Sequence, residues 1–550
     1  MPKSRRETFH SWAHKDVFPA NLKKLSFGDT FGLFLGFLYD WSGRGSKKDH
    51  ELLPRNAVDL SQHLSESDTL IEYESEESKD LAASILETWI YETQAKYPGD
   101  EKSAPQDGFL SLKPVHLNMA RIWPSQYSSD SRVGLQRLYF SLLAYNESRK
   151  VDTEILESVR EFFNENHPSK IGAFSSMILS ASGLNQFAEA DIEDIRKKNI
   201  EKMTTEIPPP FCLPHALMFR TDIQSLMKYR RSLSHVELMT WLYACICYHL
   251  GTYTLRTASA LRAMMENLFE SIEADSFDDV EVPFIKSCAE CTDLADCPYD
   301  LEIPVSATDN PPSIDINEEP FTSAVIIHRG IILEHPAYLS TLARLRETSH
   351  LSASLNEMAL PSDFLKIYYA SKRFRSRANK LLVEKVKEYL NHVSEVISPA
   401  IADDMMASLT ERPSSALRIF KDAVRNYYAE VGSRYDSTAA VWSFYKGVAG
   451  EHGAHYLMTS SKERPEFYFL SMDFLTVMAH ILLATNQSAS ISGFLRFLEK
   501  RGIILDSSGA YDQIAGLTNT LQEMGMYVKT SDDVSAQFLY PLYPLRSDAV

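Results

Sequence analysis

Apolar residues recur every three or four positions along most of the chain, and this spacing predicts amphipathic α-helices. The clearest examples are residues 81–93, 135–145, 259–272, 364–393 and 410–431. Alternation of apolar and polar residues, which is typical of half-buried strands, is scarce. The pattern therefore predicts a mainly α protein.

The C-terminal region has a different pattern. A helix within residues 467–486 leads to a helix that ends at a glycine, and a further helix then precedes a β-hairpin with a charged tip. This order resembles winged-helix DNA-binding modules, so we expect an α+β module here. The resemblance implies DNA contacts from Asn519, Thr520 and Gln522 on the later helix. Lys529 falls in the expected wing.

The length of the chain predicts several domains. The chain has 550 residues, and a domain takes roughly 150 residues. Prolines at 208–210 mark a rigid joint, and the polar, acidic segment that ends at 320 has the composition of a linker. The predicted division is an N-terminal helical domain (1–207), a cysteine-cluster region with an acidic linker (208–320), a basic helical domain (321–460) and a winged-helix-like domain (461–550).

Two apolar segments, 236–255 and 467–486, are long enough to span a membrane. Each carries ionisable residues, such as Glu237 and Asp473, which are costly in hydrocarbon. Buried core helices are therefore expected, with no membrane association. The basic start of the chain is not followed by an apolar stretch, so no secretory signal is predicted and the protein is expected in the cytoplasm.

Three cysteines provide the most specific chemical signal. Cys288, Cys291 and Cys297 lie within ten residues of a chain that has only six cysteines. Their spacing lets one loop wrap a corner of an inorganic cluster, because thiolates that bind iron must converge. We expect these side chains to be metal ligands, with a fourth ligand from elsewhere in the fold.

The cysteine run is similar to the iron–sulfur motif of the endonuclease III and MutY DNA glycosylases, and the same spacing closes the cluster site of the Cas4 and AddB family of nucleases. The resemblance implies a 4Fe–4S cluster. Glu281 stands where the glycosylase motif has its first cysteine, and no Glu-x-Lys pair for a catalytic magnesium lies between Cys212 and Cys288. The resemblance therefore implies a cofactor but neither glycosylase nor nuclease activity.

The fourth ligand could be Cys212, Cys245 or Cys247. Cys212 is favoured because it follows the proline run on a loop, whereas the other two lie in an apolar helical stretch. Zinc is the alternative occupant, with His215 or His249 completing the site. The predicted metal ligands are Cys212, Cys288, Cys291 and Cys297.

The charge distribution restricts any contact with DNA to a local surface. The formal net charge is −18, and acidic residues surround the cysteine run, so that region would repel phosphates. A basic stretch offers the best phosphate contacts: Lys372, Arg373, Arg375, Arg377 and Lys380. The alternative is a solvated helix face that is paired with nearby carboxylates.

One other group of residues suggests chemistry. Glu451, His452 and His455 could bind a metal or pass protons, but they lack the helical histidine spacing of the zincins, and the neighbouring glycines favour a turn. No nucleophile elbow or nucleotide-binding loop is found elsewhere. Catalysis at this stretch is therefore kept as an alternative.

A helical scaffold, a repair-type cluster motif, a basic helix and a winged-helix tail together resemble the accessory subunits of prokaryotic DNA-targeting defence or restriction assemblies. The resemblance implies a non-catalytic subunit that binds DNA or a DNA-engaged protein, while protein partners supply a motor or nuclease. The alternatives are a metal-dependent, nuclease-like enzyme and a scaffold that never meets nucleic acid.

Overall fold

The computed structural model describes only part of the chain. The described residues are 34, 36–38, 80, 94–96, 109–111, 129–164, 197–198, 200–205, 207, 209–274, 294, 301–307, 320–348, 371–431, 437–450, 453–458, 466–486, 488–505, 513–528 and 537–545. The predicted helix at 81–93 lies outside them. The predicted division into four domains stays a prediction.

Helices dominate the described residues, which confirms the mainly α prediction. The first part contains β1 (Gln94–Lys96), β2 (Phe109–Ser111), α1 (Ser129–Leu143), α2 (Glu154–Asn164), α3 (Leu213–Met227), α4 (His235–Glu273) and β3 (Ile303–Val305). The second part contains α5 (Pro320–Thr348), α6 (Lys372–Val393), α7 (Pro399–Glu411), α8 (Ala416–Val431), α9 (Ser437–Ala449), β4 (Leu457–Met458), β5 (Phe467–Tyr468), α10 (Met472–Leu483), β6 (Ala489–Ser490), α11 (Ile491–Glu499), β7 (Ile503–Leu505), α12 (Gln513–Glu523), β8 (Tyr527–Val528) and β9 (Phe538–Leu539). Short 3-10 turns lie at Lys228–Arg231 and Pro413–Ser415.

Helix α4 forms the centre of the body. It has 39 residues, which corresponds to a length of about 58 Å. Ser234 begins it with a capping box: its hydroxyl accepts from the Glu237 amide, and the Glu237 carboxylate accepts from the Ser234 amide. Most of its residues are buried because α3, α5, α9 and α10 surround it. No described helix is both long and apolar enough to cross a membrane.

The apolar segment 467–486 is divided into two elements. It was expected to be one helix, but residues 467–468 form β5, and α10 begins only at Met472. The physical reason is the N-cap at Ser471, whose hydroxyl accepts a hydrogen bond from the amide of Phe474. The later residues of the segment are buried in α10, as expected for a core helix.

A small set of paired strands joins segments that are distant in sequence. Strand β3 pairs in parallel with β7, and Ile303 lies opposite Ile503. Beyond β3, Ser306 donates its amide to the carbonyl of Tyr468 in β5 at 2.9 Å. Gly502 precedes β7 with a positive φ of 82°, and an added Cβ there would lie 2.2 Å from the Leu301 carbonyl oxygen. Only glycine fits this close approach.

The C-terminal elements follow the order α10, β6, α11, β7, α12, β8 and β9. Strand β9 lies between β6 and β8 and is antiparallel to both. Five apolar residues of this region are buried in the core: Ile491, Phe494, Leu517, Leu521 and Leu539. Helix α10 contacts α11 and α12, and α12 contacts β8.

A close contact against α4 depends on one glycine. Gly251 lies in the middle of α4, and a Cβ added there would lie 2.8 Å from the Tyr456 hydroxyl and 3.3 Å from a Val448 methyl group. Gly330, in α5, has no atom within 4 Å of the same added Cβ. The two helical glycines therefore provide a crowded position and an open position for the same substitution.

We expect Gly251→Ala to lower the free energy of unfolding by about 1–3 kcal/mol, because overpacking outweighs the gain in helix propensity. In a Tyr456→Phe background the added methyl no longer meets the hydroxyl, so the same change should cost clearly less. Gly330→Ala is the control and should stabilise by about 0.5–1 kcal/mol. Urea denaturation of the four proteins of the double-mutant cycle measures these free energies of unfolding. If Gly251→Ala costs the same with Tyr456 as with Phe at that position, the contact between Gly251 and the Tyr456 hydroxyl is refuted.

Candidate functional site

Cys212 lies at the boundary between a proline-rich loop and helix α3. It is the N-cap residue, with φ −109° and ψ 93°, and its side chain makes no capping hydrogen bond. Pro214 follows in the first turn, where a proline ring fits because that amide has no helical acceptor. Cys212 is half-buried. The expectation that it sits outside the helix interior agrees with this position.

The cysteine loop, defined as residues 288–297, lies outside the described residues except for Leu294. Leu294 is buried. The chain is described again from Leu301, which is buried against Gly502 and leads directly into β3. Cys288, Cys291 and Cys297 therefore stay predictions. Among the described residues, no three His, Cys, Asp or Glu side chains come together as a metal site.

Cys245 and Cys247 are fully buried within α4. Burial raises the pKa of Cys247 to about 12 and the pKa of Cys245 well above its ordinary value, so both thiols stay protonated. A metal needs thiolates, and these two side chains belong to the apolar core. They remain poor candidates for the fourth ligand.

A buried polar cluster joins α3, α4 and the C-terminal elements. His249 donates from Nε2 to the Asp222 carboxylate at 3.0 Å. Arg501 donates to both oxygens of the same carboxylate, from Nε at 3.2 Å and from a terminal nitrogen. His215 lies next to His249, with its Nε2 3.2 Å from the His249 carbonyl oxygen. We call these four residues the Asp222 cluster.

The electrostatics of the Asp222 cluster follow from burial and pairing. Burial alone would raise the pKa of Asp222, but the Arg501 guanidinium and the His249 hydrogen bond hold it below its ordinary value. Burial lowers the pKa of His249, although Asp222 partly opposes this. Burial, together with His249 and the Arg256 cation, lowers the pKa of His215 well below 6.5. Both imidazoles are therefore neutral beside one ion pair.

Arg501 is held at several points. Its guanidinium lies 3.5 Å above the centre of the Phe497 ring, and its carbonyl oxygen accepts from the Tyr248 hydroxyl at 2.8 Å. The cluster thereby ties the end of α11 to α3 and α4. Sequence reasoning missed Asp222 and Arg501 because 279 residues separate them.

The predicted basic residues of α6 differ in exposure. Lys372, Arg373, Arg377 and Lys380 are exposed, whereas Arg375 is buried with 8% of its surface accessible. Within the part of the chain that is described, none of the four exposed cations has an ion-pair partner. They occupy the first turns of α6, which contain no acidic residue. We call these four residues the α6 cation face.

The predicted DNA contacts of the C-terminal elements lie on or after α12. Asn519 and Gln522 are exposed, Thr520 is half-buried and Lys529 lies outside the described residues. Helix α12 carries no Lys, Arg or His, and Glu523 is its one charged residue. Its surface is therefore not attractive to phosphates.

The histidine-rich stretch is only partly described. Glu451 and His452 lie outside the described residues. His455 has a φ of 57°, and its Nδ1 lies 3.3 Å from the Asp473 carboxylate, which is largely exposed. The hydrogen bond from His455 holds the pKa of Asp473 below its ordinary value. An exposed pair of this kind is a weak surface contact.

The fold and these sites define a mainly helical protein with a long buried central helix, a buried ion-pair cluster and an exposed cation face. Residues 8–316 match the family described as methylation-associated defense system protein MAD7, and this is more than half of the 550 residues. The chain belongs to that family. No curated protein matches it.

The family assignment confirms the coarser functional prediction, a component of a defence system. The matched range includes Cys212 and the cysteine loop, whereas α6 and the C-terminal elements follow it. A family named for a defence system indicates membership of a system with several components.

Proposed function

We propose that the protein is a non-catalytic, DNA-associated subunit of a multi-component defence system in the cytoplasm. Other components would supply the motor or nuclease. The observation that carries the DNA contact is the α6 cation face, in which four exposed cations lack described carboxylate partners. The family assignment supports the defence role.

The position of the cation face on its helix favours an anionic ligand. A helix N-terminus carries a partial positive charge, so Lys372 and Arg373 in the first turn of α6 oppose the helix dipole. Lys385, by contrast, lies farther along α6 and pairs with Glu388 at 2.8 Å. A phosphate backbone would relieve the repulsion among these cations, because it neutralises Lys and Arg side chains and is attracted to helix N-termini.

The C-terminal elements support a second part of the proposal. The elements α10, β6, α11, β7, α12, β8 and β9, with β9 between β6 and β8, resemble the order of a winged helix, although β7 pairs with β3. We propose this assignment for residues 461–550. Because α12 lacks cations, we infer that Asn519 and Gln522 add polar contacts after the α6 cation face has attracted the DNA.

The proposal includes a structural metal centre. Its ligands are Cys212, Cys288, Cys291 and Cys297. Cys212 is suited to this role because a helix N-terminus stabilises the negative charge of a thiolate. The cysteine spacing favours a 4Fe–4S cluster, and zinc is the alternative.

We expect the double variant Arg373→Glu, Arg377→Glu to bind duplex DNA more weakly than the wild type. Each lost phosphate contact should reduce the slope of log affinity against log salt by about 0.9, so two contacts should reduce it by about 2. Fluorescence anisotropy with one duplex, methylated and unmethylated, measures this. Both forms should respond equally, because phosphate contacts carry no base information.

The matched control is Lys385→Glu, Lys387→Glu, which makes the same charge change on exposed residues later in α6. Its salt slope should stay close to that of the wild type. Equal losses of DNA affinity in both variants would mean that the effect comes from net charge alone. Unchanged affinity in both would favour the scaffold alternative. If the wild type cleaves the duplex and His455→Ala does not, the enzyme alternative would be favoured.

A further inference from the structure

Residues 540–545 form the tandem repeat Tyr-Pro-Leu-Tyr-Pro-Leu. In the first copy, Tyr540 and Leu542 are exposed, with 43% and 42% of their surfaces accessible. In the second copy, Tyr543 and Leu545 are half-buried and pack against the core. Of two identical tripeptides, the fold therefore docks one and leaves the other exposed to solvent.

The second copy docks on three aromatic side chains from the first 3-10 turn, α4 and α10: Tyr229, Trp241 and His480, which we call the Trp241 site. The ring centres of Trp241 and His480 are 4.4 Å apart, and Tyr229 packs edge-on against both, at 5.7 and 5.4 Å. The ring of Tyr543 lies 5.7 Å from Trp241 and 6.0 Å from His480. Stiff segments that contain proline suit such aromatic surfaces, because they lose little conformational entropy on binding.

The polar contacts of the docked copy are mostly long. His480 donates from Nδ1 to a carbonyl oxygen of its own helix at 2.8 Å, so its Nε2 is the acceptor for the Tyr543 amide, at 3.5 Å. The Tyr543 hydroxyl lies 3.4 Å from the Glu237 carboxylate. The Ser232 hydroxyl makes a short bond, to the Pro544 carbonyl oxygen at 2.8 Å. Bonds near 3.5 Å are weak, so the docked copy is held mainly by ring contacts that another Tyr-Pro-Leu segment reproduces.

A segment from a different protein fits this site better than one from a second copy of the chain. In a second copy the segment is already held in its own site at the high effective concentration of an intramolecular contact, so exchange creates no new contact. A partner segment that is free before binding gains all of these contacts. The family assignment indicates a system with several components, which supplies such partners.

We propose that the Trp241 site binds a Tyr-Pro-Leu segment of a partner protein, and that residues 543–545 occupy the site until that segment displaces them. The ligand is an uncharged segment with a tyrosine directly before a proline, since these two residues meet the aromatic rings and Ser232. Because residues 543–545 close the site, the apparent affinity for the partner falls with the fraction of open sites. The inference goes beyond the proposed function and does not depend on the DNA contact or the metal centre.

The test is the binding of a fluorescein-labelled peptide with the sequence of residues 539–545 to the full chain, measured by fluorescence anisotropy. Tyr543→Ser should release the docked copy and bind the peptide at least about 10-fold more tightly than the wild type, because its site is open. The matched control is Tyr540→Ser, the same change one repeat earlier on an exposed residue, which should keep the affinity of the wild type. Equal affinities in all three proteins, or no binding to folded Tyr543→Ser, would overturn the inference.

Two further changes in the Tyr543→Ser chain show where the peptide binds. Trp241→Leu should abolish binding, and Ser232→Ala should weaken it by about 2–10-fold through the lost hydrogen bond. If Trp241→Leu does not fold, Ser232→Ala decides, and an unchanged affinity overturns the inference. Sedimentation of the wild type tests the other occupant. A dimer that dissociates in Tyr543→Ser would identify the segment of a second copy as the ligand and overturn the assignment to a separate partner.

Discussion

Replacing Asp222 by asparagine is expected to lower the free energy of unfolding by about 3–5 kcal/mol, because it leaves the buried Arg501 cation without its partner. The Asp222 side chain has 0% exposure and that of Arg501 has 9%. His249 would also face an amide instead of a carboxylate. Urea denaturation followed by circular dichroism measures the loss.

The control for this prediction is Asp152→Asn. Asp152 also pairs with an arginine, Arg220, at 2.6 Å, but a third of the Asp152 side chain is exposed. Arg220 also donates to the carbonyl oxygens of Leu143 and Asp152, so it keeps acceptors after the change. We expect a loss of about 1 kcal/mol or less. A similar loss in both variants would contradict the special role of the Asp222 cluster.

Stability should also fall steeply as the pH drops from about 6.5 toward 4, because buried neutral histidines resist protonation only in the folded protein. Burial lowers the pKa of His328 and His480 to about 4 and that of His335 to about 3. The unfolded chain therefore binds more protons in this range. Each such proton contributes a slope of about 1.4 kcal/mol per pH unit, so three contribute about 4.

Protonation of Asp222 also lowers the stability of the folded protein, at a lower pH than protonation of the histidines. Its pKa is depressed in the folded protein, so its contribution is present above the ordinary carboxyl range and is lost as the pH falls through the folded value. Unfolding free energies measured at several pH values between about 7 and 4.5 test the slope. His335→Gln should reduce the slope by about one proton. A flat profile would refute the prediction.

Local features of the fold were predictable because they depend on neighbouring residues. The spacing of apolar residues indicated α4 as a buried helix, and the proline run indicated that Cys212 lies outside a helix interior. The sequence also predicted the C-terminal helices and the antiparallel strand pair that follows α12, but it did not predict β6 or β7. The basic stretch predicted exposed cations, but burial of Arg375 on the inner face of α6 depends on the helices packed against it.

The sequence by itself determined the helical class, the presence of the main buried apolar helices and the residue types available for metal and phosphate contacts, since propensity, periodicity and charge act over a few residues. Only the tertiary structure decided that Asp222, His249 and Arg501 share one buried site and that β3 pairs with β7. These features require contacts between segments that are far apart in the chain. Many interactions throughout the core stabilise those contacts, so no local stretch of sequence predicts them.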